Sequence, residues 1–161
     1  MKRLALVWLA LLALPLAAAP EYPTMGPDIY DTKADGNDLI AAALTRARAS
    51  HRRVLVLFGA NWCPWCRRLH QTLTGEIAVV KMIAANYELV LVDVNTRHGA
   101  KRNAHVNEKY GDPLQNGMPV FVVLDSDGKP LTTRETNTLS DEKGRSADRV
   151  LAFLQEWAPK R

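Results

Sequence analysis

Two uninterrupted apolar runs, RVLVLFGA at 53–60 and ELVLVDV at 88–94, restrict the fold of this 161-residue chain more than any other feature. Both are short and rich in branched side chains. Neither alternates as a half-exposed strand would, so each reads as a strand buried on both faces, as in a parallel sheet. Such strands need helices over both faces, and the sequence supplies them. From Asn37 onward, Leu39, Ile40, Ala43, Leu44 and Ala47 form one apolar helical face, with Asp35 or Asn37 as the cap. Between the two runs lies a helix with Leu69 and Leu73 inward. A break at Gly75 then leads to a second helical stretch with Ile77, Val80, Ile83 and Ala84 on one side.

Residues 95–117 are polar and mixed, with a short helix expected around Asn103–Tyr110. MPVFVVLDSDGKPLTT (118–133) then reads as strand, Asp-Gly turn and strand, the signature of a hairpin. A final helix over 146–157 has Ser146 as its cap and Val150, Leu151, Leu154 and Trp157 as its stripe. The expected fold is α/β: a mixed sheet of four to five strands, helices on both faces, a parallel core and an antiparallel edge. The length is that of one domain.

The N-terminus has a different character. Lys2 and Arg3 precede an apolar run from Leu4 to Ala19 that ends in small residues, the layout of a secretory signal peptide over 1–19 with cleavage near Ala18. The run is short for a membrane span, so membrane association is expected only if this segment is retained. Residues 20–35, rich in proline and polar turn formers, read as an extended N-terminal arm, and 36–161 as the folded domain. Without Lys2 and Arg3 the formal net charge falls from +4 to +2. The remaining basic residues form no dense stripe, which argues against a nucleic-acid partner. Export implies an oxidising compartment, periplasmic or extracellular.

The only two cysteines, Cys63 and Cys66, stand in FGANWCPWCRRLH directly after the first buried strand. As a structural staple the pair is badly placed, because closing so short a loop restrains little of the unfolded chain. Zinc normally takes four ligands, and His70, His98 and His105 complete no standard set. Covalent haem attachment needs His after the second cysteine, where Arg67 stands. At a strand-to-helix junction, by contrast, Cys63 occupies the first helical turn. There the unpaired N–H groups and the macrodipole favour a thiolate. Pro64 suits that turn because its missing N–H costs nothing there. Cys66 lies one turn deeper on the same face, placed to resolve a mixed disulfide, and the pair can close into a disulfide or open without moving the fold.

The stretches VLVLFGANWCPWCRRLH and GMPVFVVLDSDGKPL, with the order of elements, resemble the thioredoxin superfamily, more narrowly its exported bacterial members. The resemblance covers roughly residues 36–157. It implies a thioredoxin-like fold and a thiol–disulfide oxidoreductase with Cys63 as nucleophile, Cys66 as resolving cysteine and no dissociable cofactor. It also implies a cis Met118–Pro119 bond beside the cysteines, with Met118 offering its backbone to an extended substrate strand. Trp62, Pro64, Trp65 and Gly117 would complete the groove. Two departures stand out. Leu57 occupies the position where thioredoxins carry a buried Asp, leaving His70 and Glu76 as candidates for proton transfer. The intervening pair is Pro-Trp, and Arg67 and Arg68 follow, placed to add positive charge near Cys63.

The implied partners are protein thiols and disulfides and a membrane-borne redox carrier, with the chain itself a monomer. The resemblance leans toward a reductase over an oxidase. The rival from another class is a thiol-based copper or zinc chaperone, or a binding module that keeps the fold without turnover.

Overall fold

The computed structural model describes residues 26–97, 101–141 and 144–160. The expected signal peptide lies outside the described residues.

Helix α1 (Gly36–Ser50) opens at Asp35, whose carboxylate accepts the Asn37 and Asp38 N–H groups, and closes at His51 in a left-handed conformation. Its buried face is Ile40, Ala43 and Ala47, as the periodicity predicts. Strand β1 (Arg53–Gly59) is buried from Val54 to Gly59. Helix α2 (Pro64–Gly75) and helix α3 (Ile77–Asn86) meet at Glu76, whose extended backbone is at once the C-cap of one and the N-cap of the other. Strand β2 (Tyr87–Asp93) follows, then the short helix α4 (Ala104–Lys109). The hairpin consists of β3 (Val120–Leu124) and β4 (Pro130–Glu135). At its turn Asp125 accepts the N–H groups of Asp127 and Lys129, and Gly128 takes a positive φ. A two-stranded ribbon, β5 (Ser140–Asp141) and β6 (Gly144–Arg145), leads into α5 (Ala147–Glu156), capped by Ser146.

The sheet order is β2-β1-β3-β4. It is mixed and four-stranded, within the expected range, but its parallel part is a single pair. β1 runs parallel to β2, in register from Arg53↔Tyr87 to Gly59↔Asp93, and antiparallel to β3. The hairpin is therefore not an edge appended to a parallel core, because β3 sits beside β1 in the centre. Its five residues are all buried, which a central place in the sheet requires.

Alternate residues of the strands feed two cores. On one face Leu55, Leu57, Phe121 and Val123 pack with Leu69, Leu73, Val79, Val150, Phe153 and Leu154 from α2, α3 and α5. On the other Val54, Val56, Phe58, Val90, Val92 and Val122 pack with α1 and α4. Truncating any one of these buried leucines to alanine is expected to cost about 2–5 kcal/mol.

Three sequence expectations change. The inward face of α3 is Val79 with Met82 and Ile83 against it, whereas Ile77 is 72% exposed and Val80 and Ala84 also face outward. An almost wholly apolar helix carries too little pattern to fix its rotation. The C-terminal stripe includes Phe153, stacked on Phe121 at 5.6 Å between centroids, while Trp157 lies beyond the helix as its C-cap. Residues 26–35, expected as an extended arm, instead fold back onto the domain and contribute Tyr30, 2% exposed, to the first core.

Candidate active site

β1 delivers its chain to the rim of the sheet at Gly59, and a tight turn, with the Cys63 N–H donated to the Ala60 carbonyl at 3.0 Å, starts α2. Cys63 is the N-cap residue and Pro64 the first helical residue. The backbone N–H of Cys66 donates to Cys63 Sγ at 3.3 Å. An N-cap sulfur receiving a backbone N–H at a helix start is in a setting that favours negative charge. Cys63 keeps a narrow exposed edge of 4%, and Cys66 has none. Only Cys63 can meet a substrate. Burial, then the Cys63 sulfur beside it, pushes the Cys66 thiol far above its ordinary value.

The Met118–Pro119 peptide bond is cis, and the Met118 carbonyl lies 4.0 Å from Cys63 Sγ. Gly117, exposed and with positive φ, leads into this bond, and Pro119 is held from behind by the Thr136 hydroxyl, which donates to its carbonyl at 2.6 Å. Pro64 and Trp65 are exposed beside Cys63, Trp65 at 45%. Around Cys63 the structure thus brings together Cys66, Pro64, Trp65, Gly117, Met118 and Pro119.

Trp62 is anchored more firmly than a groove wall needs. Its indole N–H donates to Asn95 Oδ1 at 2.7 Å, and the Arg97 guanidinium lies 3.6 Å from the ring centroid. It packs the motif loop against the end of β2. His70 is half-buried on α2, and no hydrogen bond joins it to either sulfur. Burial, then the nearby Arg67 charge, holds its imidazole below the usual histidine range. Glu76 stands at the opposite end of α2 from Cys63, roughly 20 Å along the axis at 1.5 Å per residue. At that separation it cannot exchange a proton with the cysteines. Both arginines after the motif have partners. Arg67 is occupied by the carbonyls of Asn61, Pro27 and Gly26, and Arg68 lies over the Trp65 ring at 4.8 Å.

Three residues escaped sequence reasoning. Asn61, buried, uses its Oδ1 to accept the N–H groups of Ile29 and Tyr30 at 2.9 Å each, and its Nδ2 to donate to the Tyr30 carbonyl at 3.0 Å. Asp93 is a fully buried carboxylate at the end of β2, paired with Arg102. It sits opposite Gly59, on the sheet face that carries Leu89 and Leu91 into the cysteine-bearing core. So although Leu57 removes the expected acid from β1, a buried acid stands one strand over. The third is Tyr30. The one signal available was the asparagine and the acid themselves, polar residues closing apolar strands.

Among the described residues, no three His, Cys, Asp or Glu side chains converge as a metal site. His105 pairs with Asp35 at 3.3 Å, and His98 lies outside the described residues.

Residues 40–142 match the thioredoxin-like domain family. The chain belongs to that family. A crystal structure of a disulphide isomerase from Xylella fastidiosa Temecula1 is 33% identical, covers 81% of this chain and 96% of its own, and superposes with a TM-score of 0.71. The C-terminal domain of Neisseria meningitidis DsbD, 20% identical over 78% of this chain and 98% of its own, has a TM-score of 0.55 and shares the fold. Among curated proteins, nucleoredoxin of Bos taurus is 26% identical over 132 residues, 70% of this chain; the match spans only 28% of nucleoredoxin. The thioredoxin-like fold and the Cys-Pro-Trp-Cys helix start are those of a thiol–disulfide oxidoreductase.

Proposed function

We propose that this chain is an exported thiol–disulfide oxidoreductase that exchanges electrons between the Cys63–Cys66 pair and the disulfides of protein substrates, acting as a reductase. The observation that carries the reading is the seat of Cys63: an N-cap sulfur with the Cys66 N–H at 3.3 Å, and beside it the Met118 carbonyl. A substrate strand lying along Met118–Pro119 would present its disulfide to the exposed edge of Cys63. The Cys63 thiolate attacks one substrate sulfur, the substrate S–S bond breaks, and the departing sulfur takes up a proton. Cys66 then loses its proton and attacks Cys63 Sγ, which expels the second substrate thiol and leaves the protein oxidised by two electrons. The electrons travel in the thiols themselves, so the reaction needs no dissociable cofactor.

Cys66 gives the direction. A thiol whose anion is disfavoured by burial is a poor leaving group from the disulfide, which stabilises the oxidised protein and makes the dithiol the better donor. The Xylella relative, described as a disulphide isomerase, belongs to the same class of chemistry. Export is supported by the Lys2–Ala19 pattern, and a reductase in an oxidising compartment needs a membrane-borne dithiol to recharge it. A metal chaperone is the less supported reading, since no His, Asp or Glu joins the two sulfurs in a cluster among the described residues.

Equilibration against glutathione buffers should give one reversible two-electron couple, more reducing than glutathione. A more oxidising couple would reassign the chain as an oxidase, and no couple at all would remove the proposal. In cells, Cys66→Ser should accumulate mixed disulfides through Cys63 in the exported fraction, and the trapped proteins name the substrates.

A further inference from the structure

The segment before α1 is strapped across the back of the cysteine motif, and it delivers one polar atom into the core. Asn61 grips the Ile29 and Tyr30 backbone with three hydrogen bonds. Arg67, one residue beyond Cys66, ties down the same segment through the Pro27 and Gly26 carbonyls at 3.0 and 3.4 Å. Both anchors flank the cysteines they serve. The result is that Tyr30 enters the cysteine side of the sheet over Gly59. A methyl carbon built on Gly59 would lie 2.2 Å from Tyr30 Oη and 2.9 Å from Cys66 Sγ, so the hydroxyl and the resolving sulfur crowd the same point. Gly59 is the residue that leaves them room.

That hydroxyl is buried and has no well-aligned acceptor while Cys66 is a thiol. A buried, unsatisfied O–H costs free energy and calls for an explanation. A thiol is a weak acceptor, whereas a thiolate is a strong one.

We propose that Tyr30 is a catalytic residue: its hydroxyl donates a hydrogen bond to Cys66 Sγ as that sulfur becomes a thiolate. The idea rests on the redox reading above and deepens it. In the resolving step the Cys66 proton leaves to solvent or to the departing substrate thiol. The Cys66–Cys63 bond forms as the Cys63–substrate bond breaks, and Tyr30 keeps its own proton throughout. In the reverse direction Cys66 is the leaving group, and the same hydrogen bond receives it. Tyr30 thereby sets a hydrogen-bond donor, not a proton acceptor, beside the resolving sulfur, and it comes from the N-terminal segment. The ionisable groups whose charge bears on the hydroxyl are Cys66 on α2, Cys63 at its N-cap and Asp93 at the end of β2. Burial first, then these three negative or potentially negative groups, holds the phenol well above its usual value, so that it remains a donor.

The test is Tyr30→Phe in the full chain, which keeps the ring and removes only the oxygen. In a Cys63→Ser background the Cys66 thiolate is followed by its ultraviolet absorbance against pH. A charged hydrogen bond of the ordinary strength should move the midpoint upward by about 1–2 pH units when the hydroxyl is lost. With both cysteines present, the release of a model mixed disulfide from Cys63 should slow at least tenfold in Tyr30→Phe. Thermal stability of the reduced protein should be unchanged or slightly higher, because an orphan hydroxyl has been removed. If Tyr30 is only a packing ring, the Cys66 midpoint and the release rate will match those of the unsubstituted protein, and the proposal falls alone. If the unsubstituted protein fails to cycle with a dithiol, the redox reading falls and takes this proposal with it.

Discussion

Gly59→Ala is the sharpest test of how the site is packed, because ordinary expectation and the geometry give opposite signs. Gly59 ends a strand without a positive φ, and there an alanine would normally stabilise by about 0.4–1 kcal/mol through the unfolded chain. Here the new methyl would stand 2.2 Å from Tyr30 Oη, 2.7 Å from Tyr30 Cζ and 2.9 Å from Cys66 Sγ. None of these atoms is the far end of a flexible chain. The Tyr30 ring is rigid, and its backbone is held by Asn61. Cys66 lies in the first turn of α2. Relief requires lifting the 26–30 strap from the motif, so the cost belongs at the upper end of the overpacking range, about 3 kcal/mol. Urea unfolding at neutral pH with the cysteines reduced measures it. Tyr30→Phe in the same background removes the closest contact and leaves the one at Cζ, so it should recover part of the loss, with a coupling of about 1 kcal/mol. A Gly59→Ala protein as stable as the parent, or a penalty indifferent to the Tyr30 hydroxyl, would refute the packing derived for Tyr30, Gly59 and Cys66.

Three further outcomes are expected. Arg102→Ala leaves the Asp93 carboxylate buried without its cation and should cost at least about 2 kcal/mol in denaturant unfolding; adding Asp93→Asn should restore part of it. His70 titrates below the usual histidine value in the folded protein, so the unfolded chain binds more protons once pH drops toward 6.5 and below. Stability should therefore rise with pH through that window and be lost on acidification, and His70→Gln should flatten that slope, followed by NMR titration and urea midpoints. Tyr87→Phe removes the 2.6 Å bond from the β2 hydroxyl to the Leu154 carbonyl in α5 and should cost about 1–2 kcal/mol, with no change in the rate of thiol exchange.

What the sequence made legible follows from how local each determinant is. The strands at 53–59 and 87–93, the cap at Asp35 and the helix start at Cys63-Pro64 are each written within a few consecutive residues, and each appears in the fold where its pattern lies. The rotation of α3 was not legible, because in IAVVKMIAAN nearly every face is apolar and only tertiary contact with α2 and α5 chooses Val79 over Ile77 and Val80. Nor was the central place of β3, since a hairpin pattern says that two strands pair but not which of them meets β1. Tyr30 is the extreme case. In sequence it is an aromatic among prolines and turn formers, 33 residues before Cys63. Its role depends on an asparagine side chain 31 residues away that replaces a backbone ladder with three hydrogen bonds. It depends equally on a glycine whose missing methyl opens the gap. Two such conditions, neither periodic nor local, must hold together before the hydroxyl reaches the sulfur. Nothing around Leu57 in the sequence announces that the segment before α1 brings a polar atom toward Cys66; only the folded chain sets Tyr30, Gly59 and Cys66 around one point.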